Sequence, residues 1–410
     1  MAFRRKARRD LTTEQQLARG PMDLIFLALV LLLTAVGLIV LLSASFAVAM
    51  YNQYPGVDSG GDPYYYFIRQ AGFAVAGVVI MYLITRVDYQ WLRLLSVPVL
   101  IGAVVLLLMI FTPLGRASNG ARRWLWLGFS FQPSEIAKIA VIMFFSARLS
   151  KRNDELRAPP KKWSRRTVTG RIGAFLDRIG FLELVPYGAI LVVILFLLYL
   201  EPHMSAMILI IVAAGSVLLV SGVSLGWFAG AGALVGGGLW FIITQTGYMT
   251  KRIQVWLDPT SDLQNGGYQP WQSRIAIGSG GLLGKGLGNS IQKYLFLPEM
   301  QNDYIFAIAC EELGLIGACV IIALFVLLIV RGYWLAIHAR DRFGTQLIVG
   351  ITTLLAAQVF FNIGVVTGVI PPTGISLPFF SYGGTALVIQ LAEMGVVLSV
   401  SRQITAPKVE

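Results

Sequence analysis

The sequence predicts an all-α polytopic membrane protein of about ten transmembrane helices. Both termini are expected in the cytoplasm, with a large extracytoplasmic loop between the seventh and eighth helices. Three observations predict this. First, the 410 residues are 56% hydrophobic and only 13% charged, with a mean hydropathy of +0.71, whereas soluble domains carry about 25% charged residues. Second, apolar runs near the ~20 residues that span a bilayer recur at 24–45, 68–86, 92–112, 134–149, 182–201, 205–221, 225–245, 303–331, 345–368 and 382–401. Third, with the amino terminus inside, 23 of the 33 Lys and Arg residues fall on inside segments, the bias that sets orientation. The expected organisation is a basic cytoplasmic tail (1–23), one membrane-embedded unit (24–402) and a short cytoplasmic tail (403–410). The unit contains a basic inner loop at 150–180 and the outer loop at 246–302.

The first run follows positive charges and precedes Ala47-Val48-Ala49, which imitates a signal-peptidase site. At about 22 residues it exceeds the 7–15 of a signal peptide's apolar region, so it reads as a retained helix. The net charge of +12 is concentrated in FRRKARRD and in Ser150 to Gly180. These blocks read as cytoplasmic anchors against anionic lipid rather than nucleic-acid sites.

The outer loop RASNGARRWLWLGFSFQPSE carries Arg116, Arg122 and Arg123 against the orientation bias. Cations in that position suggest something anionic to hold; the alternative is stem snorkelling or pairing with Asp258, Asp262 and Glu299. The fourth span opens with Gln132-Pro133-Ser134-Glu135, a helix start whose acid complements the macrodipole. Lys138 lies three residues on, on the same face, either pairing with Glu135 or facing substrate. The fifth span ends Tyr199-Leu200-Glu201-Pro202-His203-Met204, with His203 read as a structural residue. Two histidines and no clustered cysteines leave no His-based zinc site, and no Gly-x-Ser-x-Gly motif supports a serine nucleophile.

The long outer loop carries Lys251, Arg252, Arg274, Lys285 and Lys293. Loops of this length are usually functional. GSGGLLGKGLG imitates a phosphate cradle but lacks the Lys-Ser/Thr ending and a preceding strand, so closely packed re-entrant backbone is expected. The following stretch, LPEMQNDYIFAIACEELGLIG, reads as a loop ending in Pro298 and Glu299 that turns into an apolar helix carrying Asp303, with Glu311 and Glu312 roughly two turns deeper; if the helix already runs at Glu299, Glu299 and Asp303 share one face. Acids at that depth are costly and mark a functional site, although a pair holding helices together fits Glu311 and Glu312 equally well. Cys310 and Cys319 lie nine apart on one helix, too far for a disulfide. The last outer loop, VIPPTGISLPFFSYGGT, has no charge and must pack on protein, since irregular backbone is not tolerated against lipid. Glu393 is a further buried acid with no partner identifiable from its neighbours.

The stretches NGARRWLWLG…QPSEIAK, RIQVWLDP…IGSGGLLGKGLGNSIQKYLFLPEMQNDYIFAIACEELGLIG and NIGVVTGVIPPTGISLPFFSYGGT resemble the SEDS family (shape, elongation, division and sporulation: FtsW, RodA, SpoVE), most closely the FtsW/SpoVE branch. The resemblance implies a peptidoglycan glycosyltransferase of cell wall biogenesis. It would polymerise lipid II at the outer face of the bacterial cytoplasmic membrane and release undecaprenyl diphosphate. Partners would be a class B penicillin-binding protein and other division or elongation proteins. It places the family's essential aspartate on Asp303, its Arg-Trp pair on Arg123 and Trp124, and its membrane lysine on Lys138. Two positions depart from the pattern: Glu201-Pro202-His203-Met204-Ser205 stands where relatives have Pro-Asp-hydrophobic-Gly-Thr, and Glu393 stands at an apolar position.

On this reading Asp303 is the general base for the acceptor hydroxyl, a contribution of about 10²–10⁴. Arg123, Lys138, Arg252, Trp124 and Glu299 would contact substrate, and a divalent cation, Mg²⁺ or Mn²⁺, would bridge the diphosphate. Glu135, Glu201, Glu311 and Glu312 are expected as structural wall residues. Two other classes remain open: a lipid II flippase or transporter, for which intramembrane acids and broken helices are also expected, and a scaffold that recruits a transpeptidase. Within the family, division, sporulation and elongation are not separated by the sequence.

Overall fold

A computed structural model describes residues 20–51, 59–118, 121–126, 130–151, 181–230, 232–233, 237, 253–264 and 266–404. Most of the seventh predicted span, nearly all of the basic loop at 150–180, and Lys251 and Arg252 lie outside them. Among the described residues, nine of the ten predicted spans are helices. These are α1 (Leu24–Met50), α2 (Tyr65–Arg86), α3 (Gln90–Met109), α4 (Pro133–Leu149), α5 (Phe181–Leu200), α6 (Met204–Val220), α8 (Ile305–His338), α9 (Arg342–Val366) and α10 (Gly384–Ile404). A further helix, α7 (Tyr268–Gly280), sits within the long loop. The protein is a multi-pass membrane protein: six of these helices are long and apolar enough to cross a bilayer by themselves.

The bundle is layered around α4, α9 and α10. Nearly every residue of α4 is buried, and α9 and α10 are buried over most of their length. Around them α1, α2, α3, α5 and α8 expose Leu32, Val79, Leu94, Phe196 and Val326, as lipid-facing helices must. Close approach of α4, α6 and α9 needs a glycine. A β-carbon on Gly350 of α9 would lie 2.5 Å from Ile142 of α4 and 3.0 Å from Val217 of α6.

One end of the bundle is closed by two capping aspartates. Asp23 accepts the Phe26 amide at the start of α1 and pairs with Arg331 of α8. Asp341 accepts the Gly344 amide of α9, the Tyr89 hydroxyl and the Gln90 side-chain amide. Each side chain satisfies orphan N–H groups of its own helix while tying it to a second.

At the opposite end the loop between α3 and α4 folds into a small antiparallel sheet of β1 (Gly115–Ser118), β2 (Ala121–Trp126) and β3 (Ser130–Phe131). The all-α expectation omitted it, because Trp and Arg in so short a run look like any polar loop. On β2, successive side chains face opposite ways: Arg122 is exposed and Arg123 half-buried. Trp124 pairs across the sheet with Arg116, whose guanidinium lies 4.1 Å from the Trp126 ring.

Candidate active site

Asp303 lies at the sheet end of the bundle, but not on a helix. Residues 298–304 form turns and α8 starts only at Ile305, so the helix expected to carry Asp303 begins two residues after it. The cause is local: Glu299 has φ +53°, a left-handed conformation that cannot continue a right-handed helix. Asp303 therefore does not cap. The N-cap residue is Tyr304, which makes no side-chain cap bond, and among the described residues no hydrogen bond reaches the Asp303 carboxylate.

Its backbone, by contrast, is firmly held. Asn362 of α9 donates to the Asp303 carbonyl at 2.8 Å and to the Ile375 carbonyl at 2.7 Å. The Ser381 hydroxyl donates to the Asn302 carbonyl at 2.6 Å, and the Tyr382 amide to the Gln301 carbonyl at 2.8 Å. The turn is thus stapled between α9 and the charge-free loop before α10. That loop packs on protein, as its composition required. Glu299 accepts from Asn302 Nδ2 at 2.6 Å.

The corner between α5 and α6 joins this turn to the sheet. Arg123 donates to the Pro202 carbonyl, and Ser205 donates to the Thr373 carbonyl, one residue before Gly374 beside Asp303. On α4, Lys138 is buried with its ammonium 2.7 Å from Glu135 Oε2, so the pairing reading of these two residues holds. Glu393 of α10 is buried and lies within electrostatic reach of both. Gln132 Nε2 is 3.5 Å from His203 Nε2.

Charge and burial tune these groups. Burial and the Glu299 carboxylate push Asp303 up to about 6, against the pull of Arg123. Burial pushes Glu201 up to about 8, again opposed by Arg123. His203 falls to about 3, through burial and then Arg123 and Lys138, so its imidazole is neutral. A carboxylate poised near neutrality beside a cationic strand is equipped to accept a proton.

A family model described as "cell cycle protein", covering FtsW, RodA and SpoVE, matches residues 23–406. The chain belongs to this family. It is 36% identical over 381 residues to the probable peptidoglycan glycosyltransferase FtsW of Geobacter metallireducens, covering 92% of this chain and 94% of that one. It is 37% identical over 382 residues to stage V sporulation protein E of Bacillus subtilis, covering 93% and 97%. Two solved structures share the fold at 25% identity. One is a peptidoglycan synthase complex coordinating polymerisation and crosslinking (TM-score 0.71; 93% and 98% covered). The other is the rod shape determining protein RodA of Thermus thermophilus (TM-score 0.62; 93% and 97% covered).

Several expected site residues of this FtsW/RodA/SpoVE-family chain take other places. Glu311 and Glu312 do not line the Asp303 turn; they anchor the glycine-rich loop. Glu311 accepts from Lys285 at 2.7 Å, from Ser290 Oγ at 2.5 Å and from the Ile291 and Gln292 amides. Glu312 accepts from Ser43 at 2.6 Å, from the Ser290 amide and from Lys293 at 3.3 Å. Lys285 and Lys293 therefore pair, but with these acids rather than with Asp258, Asp262 or Glu299.

The loop sits inside a break in α8. Gly314 has φ +67°, the Leu315 amide donates to the Gly281 carbonyl, and the Lys285 and Gly286 amides donate to the Glu311 and Glu312 carbonyls. Re-entrant backbone is satisfied here by the helix it interrupts. The lone signal for this in the sequence was Gly314 itself, three residues from another glycine in an apolar run.

Among the described residues no three His, Cys, Asp or Glu side chains converge as metal ligands. Those described residues therefore form no cage for a divalent cation. Arg252, expected at the substrate, lies outside the described residues.

Proposed function

We propose that this chain is a peptidoglycan glycosyltransferase that polymerises lipid II in cell division, acting at the extracytoplasmic face of the bacterial cytoplasmic membrane. Asp303 carries the reading. Its carboxylate is spared from capping, raised toward neutrality and mounted on a backbone stapled from two sides. The family membership and the FtsW and SpoVE relatives support the substrate class.

In the proposed step the acceptor's 4-hydroxyl oxygen forms a bond to the donor's anomeric carbon as the bond from that carbon to the diphosphate breaks. The hydroxyl proton passes to Asp303, and the bonding pair leaves on undecaprenyl diphosphate. Trp124 and Glu299 would contact the substrate, and Arg123 and Lys138 would supply positive charge toward the diphosphate, Lys138 as the buried partner of Glu135. A divalent cation, Mg²⁺ or Mn²⁺, is the proposed cofactor and would supply compensating charge for the diphosphate. A class B penicillin-binding protein is the proposed partner, supported by the fold shared with the synthase complex.

Purified protein given lipid II and Mg²⁺ or Mn²⁺, alone and with its cognate transpeptidase, tests this reading. Glycan chains are expected, and are lost in D303N. Transbilayer movement of lipid II without chains would identify a flippase instead, the reading favoured by the broken α8 helix. Recruitment of the transpeptidase with neither activity would leave a scaffold.

A further inference from the structure

Glu201, in the corner between α5 and α6, is 1% exposed, and neither carboxylate oxygen has a hydrogen-bond partner among the described residues. It sits beside a cation it does not bond: Arg123 directs its guanidinium to the carbonyl of the very next residue, Pro202. Burying an ionised carboxylate without hydrogen bonds costs several kcal/mol, whereas the neutral acid is tolerated. This corner is also tied, through Ser205 and Thr373, to the loop against which Asp303 lies.

We propose that Glu201 is a positioning residue for Arg123. In its neutral form it adds no charge beside the guanidinium; in its ionised form it offsets part of that positive charge and weakens binding of an incoming diphosphate. The proposal rests on the glycosyltransferase reading for the identity of the anion. Burial places the changeover at about pH 8.

Several other charged groups face this corner, and Glu393→Gln serves as the control for the one further buried acid among them. Asp303 on the turn before α8 ionises near 6 and His203 near 3. Glu135 and Lys138 of α4 neutralise each other, and Glu393 of α10 faces that pair rather than Arg123. Linkage fixes the sign. If the anion binds better when Glu201 carries its proton, anion binding must raise proton affinity by the same factor. Binding above pH 8 is then accompanied by proton uptake.

The test is isothermal titration of the full-length protein in nanodiscs with farnesyl diphosphate between pH 7 and pH 9, in buffers of different ionisation enthalpy. For the native chain the dissociation constant is expected to rise about tenfold from pH 7 to pH 9, with close to one proton taken up per ligand at pH 9. In Glu201→Gln the same ratio is expected to stay below about twofold, without uptake. A full alkaline loss in Glu201→Gln, or binding by the native chain at pH 9 without proton uptake, overturns the proposal. Should Glu201→Gln fail to fold, the proton count of Glu393→Gln decides: uptake retained there supports the proposal, and uptake lost there overturns it. Because the titration involves no turnover, absent polymerisation would sink the glycosyltransferase reading and leave this result standing, and the reverse holds equally.

Discussion

Asp303 and Gly374 are in direct apposition: a β-carbon on Gly374 would lie 3.3 Å from Asp303 Oδ2, and Gly374 itself has φ +70°. No other residue type fits that loop without both strain and a shift of the carboxylate. Gly374→Ala is therefore expected to cost about 1 kcal/mol in the loop and, by nudging the Asp303 carboxylate a few tenths of an ångström, to lower polymerisation several-fold. Initial rates of lipid II polymerisation, beside the melting temperature, check this. A fully active Gly374→Ala protein would show that the Gly374 contact does not set the position of the carboxylate.

Asp303 must be ionised to accept a proton. With its pKa raised to about 6, activity is expected to fall below that pH, about tenfold per unit. Asp303→Asn is expected to lose roughly 10²–10⁴ in kcat. The stability effect has the opposite direction. An acid whose pKa is raised by folding makes the native state less stable as pH rises from about 4 to about 6, and the deficit persists at neutrality. Asp303→Asn should therefore melt higher than the parent at pH 7 and show no gain at pH 4, by thermal denaturation in detergent.

Lys293 and Glu312 are 3.3 Å apart, with side chains 3% and 1% exposed. Removing one partner strands a buried charge, at a cost of about 3–5 kcal/mol, whereas replacing both by apolar residues is often nearly neutral. Lys293→Met is expected to lower thermal stability sharply, and Lys293→Met with Glu312→Leu to recover most of it. Strictly additive losses in this double-mutant cycle would show that the pair does not hold the loop.

Glu393 is buried on α10 and accepts no hydrogen bond among the described residues. Glu393→Met, close in volume, is expected to leave stability unchanged or raise it by up to about 4 kcal/mol. A loss above about 1 kcal/mol would mean that Glu393 is required to balance Lys138. Denaturation in a graded detergent mixture measures the difference.

The sequence by itself determined the helices and the catalytic candidate. A span of ~20 apolar residues cannot leave its backbone polar groups unsatisfied in lipid, so hydrophobic runs alone announce nine helices that the structure describes. The LPEMQND stretch singled out Asp303 through its resemblance to a family of known pattern. Composition also foretold that the glycine-rich segment would be packed rather than flexible.

What surrounds each acid was decided only in three dimensions. Glu311 and Glu312 read as costly charges on a straight helix until the break at Gly314 brought Lys285, Lys293 and three loop amides to them. Glu299 and Asp303 read as neighbours on one helical face, yet a left-handed residue holds them in turns. Glu201 read as a wall residue, and its lack of a hydrogen-bond partner among the described residues became visible only once β2 had delivered Arg123 to the adjacent carbonyl. Hydrophobic periodicity is a local property that lipid enforces segment by segment. The cost of a buried charge is set by partners 19 to 269 residues away, which only the packed bundle brings within a few ångströms.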